Sequence, residues 1–170
     1  MARPLAVLGV TTLALIAAAG CGKYPDLKNS LKIVNVLSGY HDIGITPDHK
    51  NKLVPSITFQ LKNEGSDALS YVDLAVDYWQ NGDDGPLDSK IVVGISGQAL
   101  GPGQTGDSIT IRSEHGYTSE AARVNFFTNS VFRGFTARIY AKFRGRTTPL
   151  GELKVEPRLL PSTGRDGNRP

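Results

Sequence analysis

The sequence predicts an all-β protein: an antiparallel β-sandwich of seven or more strands with one short helical turn. Three observations carry that expectation. Apolar residues recur with period two in run after run, the pattern of strands half buried against a core. The runs are short and are separated by clusters of Gly, Pro, Asn and Asp, which turn a chain. One stretch breaks the period, residues 118–123 (TSEAAR), where Thr118 as a helix N-cap precedes good helix formers. A chain of 170 residues has room for one folded domain rather than two, and 39% hydrophobic against 21% charged residues suffices for a core.

The strands follow in order. An early one is expected over residues 31–37. Ile57, Phe59 and Leu61 then alternate with Thr58, Gln60 and Lys62 until Asn63-Glu64-Gly65-Ser66-Asp67 turns the chain. In residues 70–79, Val72, Leu74, Val76 and Tyr78 share one face, and Tyr71, Asp73, Ala75, Asp77 and Trp79 the other. After the turn Asn81-Gly82-Asp83-Asp84-Gly85-Pro86, Ile91, Val93 and Ile95 mark a further strand. Leu100-Gly101-Pro102-Gly103-Gln104 turns it, and Ile109 and Ile111 mark another. The cleanest alternation sets Phe135, Ala137, Ile139, Ala141 and Phe143 against Thr136, Arg138, Tyr140 and Lys142. Arg144-Gly145-Arg146 reads as a hairpin tip before a last strand over residues 151–156, with Leu153 and Val155 inward. Phe59, Leu74, Val76 and Ile139 are the expected centre of the core, because apolar faces of neighbouring strands must share one interior.

The ends read differently. Residues 1–21, MARPLAVLGVTTLALIAAAGC, have Arg3 as a positive start, an uncharged run from 5 to 19 and small residues up to Gly20. This is the layout of a secretory signal peptide. The apolar run of about 15 residues is short of the roughly 20 that a permanent membrane helix needs. The order Ala18, Ala19, Gly20, Cys21 resembles the bacterial lipobox, in which the cysteine is alkylated with diacylglycerol and becomes the mature N-terminus. That resemblance implies a signal peptide over 1–20 and lipidation of Cys21. It also implies a membrane partner reached through the lipid anchor. Gly22 follows where inner-membrane retention signals resembling those of enterobacteria carry Asp, so the outer membrane of a Gram-negative envelope, facing the periplasm, is the expected destination. Residues 21–30 are expected to be a lipidated polar tether, about 30 Å long if its nine residues after the cysteine extend at ~3.3 Å each. The sandwich is expected over 31–161, and the polar stretch 162–170 as a disordered tail.

Residues 59–79, with Phe59, Leu61, Asn63, Leu69, Tyr71, Tyr78 and Trp79, and Gly101-Pro102-Gly103-Gln104 before the next strand, resemble the immunoglobulin-like, FxLYD-type domains of bacterial surface proteins. The resemblance covers about a third of the chain and implies an extracytoplasmic, non-catalytic module.

Composition and motifs exclude several kinds of chemistry. Removal of residues 1–20 takes one basic residue, Arg3, and no acid, leaving 18 basic side chains against 16 acidic, too even for a dedicated nucleic-acid binder. The single cysteine excludes an intrachain disulfide and a multi-cysteine metal cluster. Gly94-Ile-Ser96-Gly97-Gln98 lacks the final glycine of a nucleophile elbow. Gly101-Pro-Gly-Gln lacks the Lys and Ser or Thr of a phosphate loop. Asp73 and Asp77, four residues apart on a strand, stand ~13 Å from each other along it, too far for paired-carboxylate hydrolysis. Asp83, Asp84 and Asp88 suit a turn better than a calcium loop. No enzyme and no cofactor is expected.

Two candidate sites remain. If the strand carrying Tyr71, Asp73, Asp77 and Trp79 lies beside the one carrying Arg138, Tyr140 and Lys142, acids face bases on an outward sheet face framed by aromatics. Such a face fits a protein partner in the envelope, since aromatics and Arg are enriched at interface hot spots. The alternative is a metal or small-ligand carrier. His41 and His49 flank Asp42 and Asp48 in an expected polar loop, and imidazole with carboxylate suits zinc or copper.

Overall fold

A computed structural model describes residues 24–120 and 122–161. The expected signal segment, Cys21 and the expected polar tail at 162–170 lie outside them. The chain forms α1 (Leu27–Ser30), β1 (Leu31–Ile45), β2 (Asn51–Asn63), β3 (Val72–Gln80), β4 (Asp88–Ile95), β5 (Ile109–Arg112), β6 (Tyr117–Ser119), a 3-10 helix (Arg123–Thr128), β7 (Phe135–Phe143) and β8 (Arg146–Lys154). One antiparallel sheet has the order β1-β2-β5, with β6 also paired to β2, and the other the order β4-β3-β7-β8. Their apolar faces meet as an immunoglobulin-like sandwich. Phe59, Leu74, Val76 and Ile139 are all fully buried, as the alternation predicts. Tyr78 joins the layers with more than packing: from β3 its hydroxyl donates to the Ile111 carbonyl on β5, 2.7 Å away.

Central β2 carries Pro55, which cannot donate to a ladder. The Pro55 carbonyl accepts from Ser113 N–H on the side where β5 ends and β6 begins, so the missing donor falls at the break between two partner strands. At the other sheet, the β7–β8 connection is the tight hairpin expected from Arg144-Gly145-Arg146. Arg144 and Gly145 both have positive φ, 46° and 78°, which gives the turn the twist of its strands. β8 starts five residues earlier than expected, at Arg146.

Several expectations give way. The helical turn lies at Arg123–Thr128, not at 118–123. Thr118 and Ser119 instead pair with Lys52 and Asn51 of β2, and Ala122 precedes the helix with no side-chain cap. Packing wins over the cap signal: Phe126 is buried, and Phe127 and Phe132 enclose Tyr40 together with Phe135. The polar loop expected around His41 is strand. β1 continues to Ile45, and only Thr46–Lys50 turns, with Thr46 N–H donating to the Lys50 carbonyl. Tyr40 is wholly buried there because the C-terminal segment straps across it. Its N–H donates to Arg158 O and its carbonyl accepts from Leu160 N–H.

The expected tether is not free over its last seven residues. Leu27 is buried, α1 packs on β8, and Tyr24 donates from its hydroxyl to the Phe143 carbonyl. One buried leucine and one aromatic in a short polar segment are enough to dock it, too few to show as a periodicity.

Candidate functional site

The outward face of the β4-β3-β7-β8 sheet is where the sequence placed its partner site. β3 and β7 are antiparallel neighbours, with Asp73 opposite Lys142, Ala75 opposite Tyr140, Asp77 opposite Arg138 and Trp79 opposite Thr136. Acids therefore do stand across from bases. The contacts are finer than that register suggests. Arg138 Nε lies 2.9 Å from Glu152 Oε1 on β8, and its guanidinium covers the Trp79 ring 4.1 Å from the centroid. Asp77 accepts from Ser89 Oγ of β4 at 2.7 Å. Trp79 is accordingly half-buried rather than open, and its indole N–H is enclosed with no acceptor. An unpaired buried donor of this kind costs about 1–3 kcal/mol.

The exposed aromatic is Tyr71, 72% accessible and held at φ 55°, in the left-handed region that a bulky side chain rarely occupies. On β4 the structure adds two exposed residues that sequence reasoning missed. Ile91 and Val93 of β4 are 65% and 62% exposed. Strict alternation sets both on one face with Ile95, yet Ile95 is buried. The cause is a β-bulge: Val72 pairs with Ile95 and the next residue, Asp73, with Val93, so Gly94 is the extra residue and everything before it is turned over. A side chain at 94 would meet Leu74 Cγ at 2.8 Å, so only glycine fits. The glycine inside an alternating run was the signal that could have found this.

One row now crosses the whole face as Ile91, Ala75, Tyr140 and Pro149, without a charge. It is bordered by the row Val93, Asp73, Lys142, Thr147 on one side and Ser89, Asp77, Arg138, Glu152 on the other. An apolar stripe between charged rims is what an interface centre and edge require of a surface. No nucleophile and base stand together on it, and it is a flat sheet rather than a cleft.

The second candidate is pulled apart. His41 lies in β1 opposite Val54, four residues before the strand ends, and His49 lies in the turn. On the order of 10 Å of strand separates His41 from the turn, whereas rings sharing a metal at ~2.0–2.1 Å from each nitrogen must sit within ~5 Å. The carboxylates between them are otherwise engaged. Asp42 pairs with Arg123 Nε at 2.6 Å, and Asp48 with Lys50 and the Thr46 hydroxyl. Burial and the nearby Arg112 charge hold the His41 pKa below its ordinary value. Among the described residues, no three His, Cys, Asp or Glu side chains converge as a metal site.

Asp83 and Asp88 also part company. Asp83 pairs with Arg133, while Asp88, only 10% exposed, accepts from Ser113 Oγ and Glu114 N–H and lies near Lys90. It thus clasps β4 to the end of β5, joining the two sheets at their open edge. Burial alone would raise the Asp88 pKa, but the two hydrogen bonds and the Lys90 and His115 charges bring it below the ordinary value of 3.8. Its contribution to stability is therefore complete above that ordinary value and is lost as the pH falls through the lower folded one. Asp88→Asn is expected to cost about 1–3 kcal/mol at neutral pH. The variant should also lose less stability than the parent between about pH 5 and pH 2, read from urea midpoints. Equal acid sensitivity of the two proteins would assign the acid limb to other carboxylates.

At the other end of β4 and β5 a cleft of about 760 Å³ opens along their unpaired edges, lined by Val93, Ile95, Gln98, Gln104, Asp107 and Ile109 among others. No family model matches the chain, and no curated protein matches it. Among solved structures, the β-glucuronidase of Parabacteroides merdae with glycerol in its active site aligns with 74% of this chain at 14% identity and a TM-score of 0.39. The chain spans 13% of the length of that enzyme. A likeness of this size bears neither on the architecture nor on the chemistry of this chain.

Proposed function

We propose that this chain is a lipid-anchored lipoprotein of the cell envelope, held by Cys21 in the outer membrane facing the periplasm. Its sandwich works as a non-catalytic interaction module. The observation that carries the interaction role is the exposure of Ile91 and Val93 on the outward face of β4 and of Tyr71 at the entry to β3, each more than 60% accessible. Large apolar side chains grouped in water and rimmed by charge are typical of protein-binding surfaces. Tyr71 supports the same role, because a strained backbone around a solvent-facing ring gains the fold nothing. The enclosed Trp79 N–H adds to it, as a donor without an acceptor that a partner carbonyl would satisfy.

The test is crosslinking in intact envelopes with the anchor retained, comparing the parent with Tyr71→Asn combined with Ile91→Thr and Val93→Thr. Asn tolerates positive φ and Thr keeps the branched shape of a strand residue. The expected result is loss of a specific crosslinked species with a melting temperature nearly unchanged, since the three side chains contribute little to the core. Unchanged crosslinking would place the partner surface elsewhere, and substrate turnover by the purified domain would sink the non-catalytic role.

A further inference from the structure

We propose that the β7–β8 hairpin tip is a membrane-contacting foot that binds anionic phospholipid headgroups and stands the sandwich upright beside its anchor. The inference rests on the lipoprotein reading of Cys21 and goes beyond it by assigning the surface that meets the lipid.

The geometry begins at Tyr24. Its hydroxyl donates to the Phe143 carbonyl, its ring meets Phe143 edge-on at 5.6 Å, and the Arg146 guanidinium lies over it at 4.3 Å. The buried Leu27 then fixes the following turn against β8. The first described residues are thus clipped to the hairpin tip rather than trailing from it. From Cys21 to Tyr24 there are three residue steps, so their Cα atoms are at most about 11 Å apart. A diacylated Cys21 would hold its backbone at the headgroup level, and the tip cannot then be far from it.

What the tip presents suits that place. Arg144 and Arg146 are exposed, and among the described residues neither pairs with a carboxylate; each guanidinium rests only on a ring, Phe143 or Tyr24. Lys28 is exposed on the adjoining α1. The nearest acid on that element, Asp26, is occupied as the cap of α1, accepting from the Asn29 backbone and side chain. Elsewhere in the fold several cations are matched, as Arg123 is to Asp42, Arg133 to Asp83, Arg138 to Glu152 and Lys62 to Glu64. Unmatched guanidinium groups beside an anchor point are drawn to an anionic surface and lose that attraction beyond a Debye length. With the tip down, the strands rise from the membrane and the Tyr71, Ile91 and Val93 face looks sideways, open to a partner.

The experiment separates this proposal from the reading beneath it. Mass spectrometry of the protein from its native membrane reads the Cys21 modification alone. Independently, the full mature chain, prepared without lipid, is coupled through its single thiol to a maleimide lipid in vesicles. Phosphatidylcholine vesicles are compared with vesicles that also contain phosphatidylglycerol. Arginine-selective modification is then followed at Arg144 and Arg146, with Arg133 at the opposite end of the sandwich as reference. At about 1 kcal/mol per basic residue near an anionic surface, the two together correspond to about a 30-fold shift toward contact. The expected result is strong slowing of modification at Arg144 and Arg146 on the anionic vesicles only, relieved by salt. Equal modification on both vesicle types overturns the proposal, whatever Cys21 carries in the native protein. In a second arm, Arg144→Asn with Arg146→Gln should abolish the phosphatidylglycerol-dependent protection of Lys28 from acetylation; protection that persists would likewise overturn the foot.

Discussion

Replacing Cys21 with Ser is expected to move the protein from the membrane fraction to the soluble one almost completely. The size of the effect follows from the proposed anchor. Each buried methylene contributes ~0.8 kcal/mol, one acyl chain holds a protein only marginally, and two hold it stably. A serine offers no thiolate for alkylation, so both chains attached through sulfur are lost together. Among the described residues no helix is long and apolar enough to cross a membrane. Even the basic tip would give only a weak, salt-sensitive hold. The check is fractionation of cells carrying each protein, with intact mass of the N-terminal peptide. An unmodified thiol in the parent, or a Ser variant that stays with the membrane through high salt, would end the lipoprotein reading.

Leu74→Ala is expected to lower the unfolding free energy by about 2–5 kcal/mol, whereas Asp73→Ala should cost under about 1 kcal/mol. The adjacent residues differ because they lie on opposite faces of β3. Leu74 is wholly buried between the sheets, and its side chain closes the space over Gly94 that no other residue could share. Truncation leaves a cavity that the strand cannot close, since β3 is held by β4 on one side and β7 on the other. Asp73 is exposed on the outward face, where truncating a side chain leaves no cavity. Urea unfolding of the three proteins reads both values. Equal costs would mean that the face assignment of β3 is wrong, and with it the outward position of Tyr71 and Asp77.

The proposed partner face is partly legible in the amino-acid sequence. Asp73, Asp77, Arg138, Tyr140 and Lys142 sit on polar faces of strands whose apolar faces are unmistakable, and only the adjacency of those strands has to come from the fold. Trp79 illustrates the limit. Its place on the outward face follows from period two, but its cover does not, because an Arg from β7 and a Glu from β8 must arrive before the ring is shielded. Ile91 and Val93 are legible as strand and illegible as surface, since a one-residue bulge reverses a face without altering the residues that form it.

By itself the sequence determined what depends on local period and turn chemistry: an all-β chain, the inward residues of β2, β3 and β7, and the Arg144-Gly145 hairpin. Tertiary structure decided whatever depends on contacts distant along the chain. Packing of Phe126 and Phe127 around Tyr40 placed the 3-10 helix, and strapping by residues 158–160 turned an expected loop into strand. Growth of β1 carried His41 away from His49. Docking of Tyr24 and Leu27 onto β8 turned a tether into part of the domain. The physical reason is common to all of these. Local propensities differ by a few tenths of a kcal/mol to about one, while burying a single aromatic or leucine is worth about 1.5–3, so the partner that a residue finds across the fold outweighs the preference it shows in sequence.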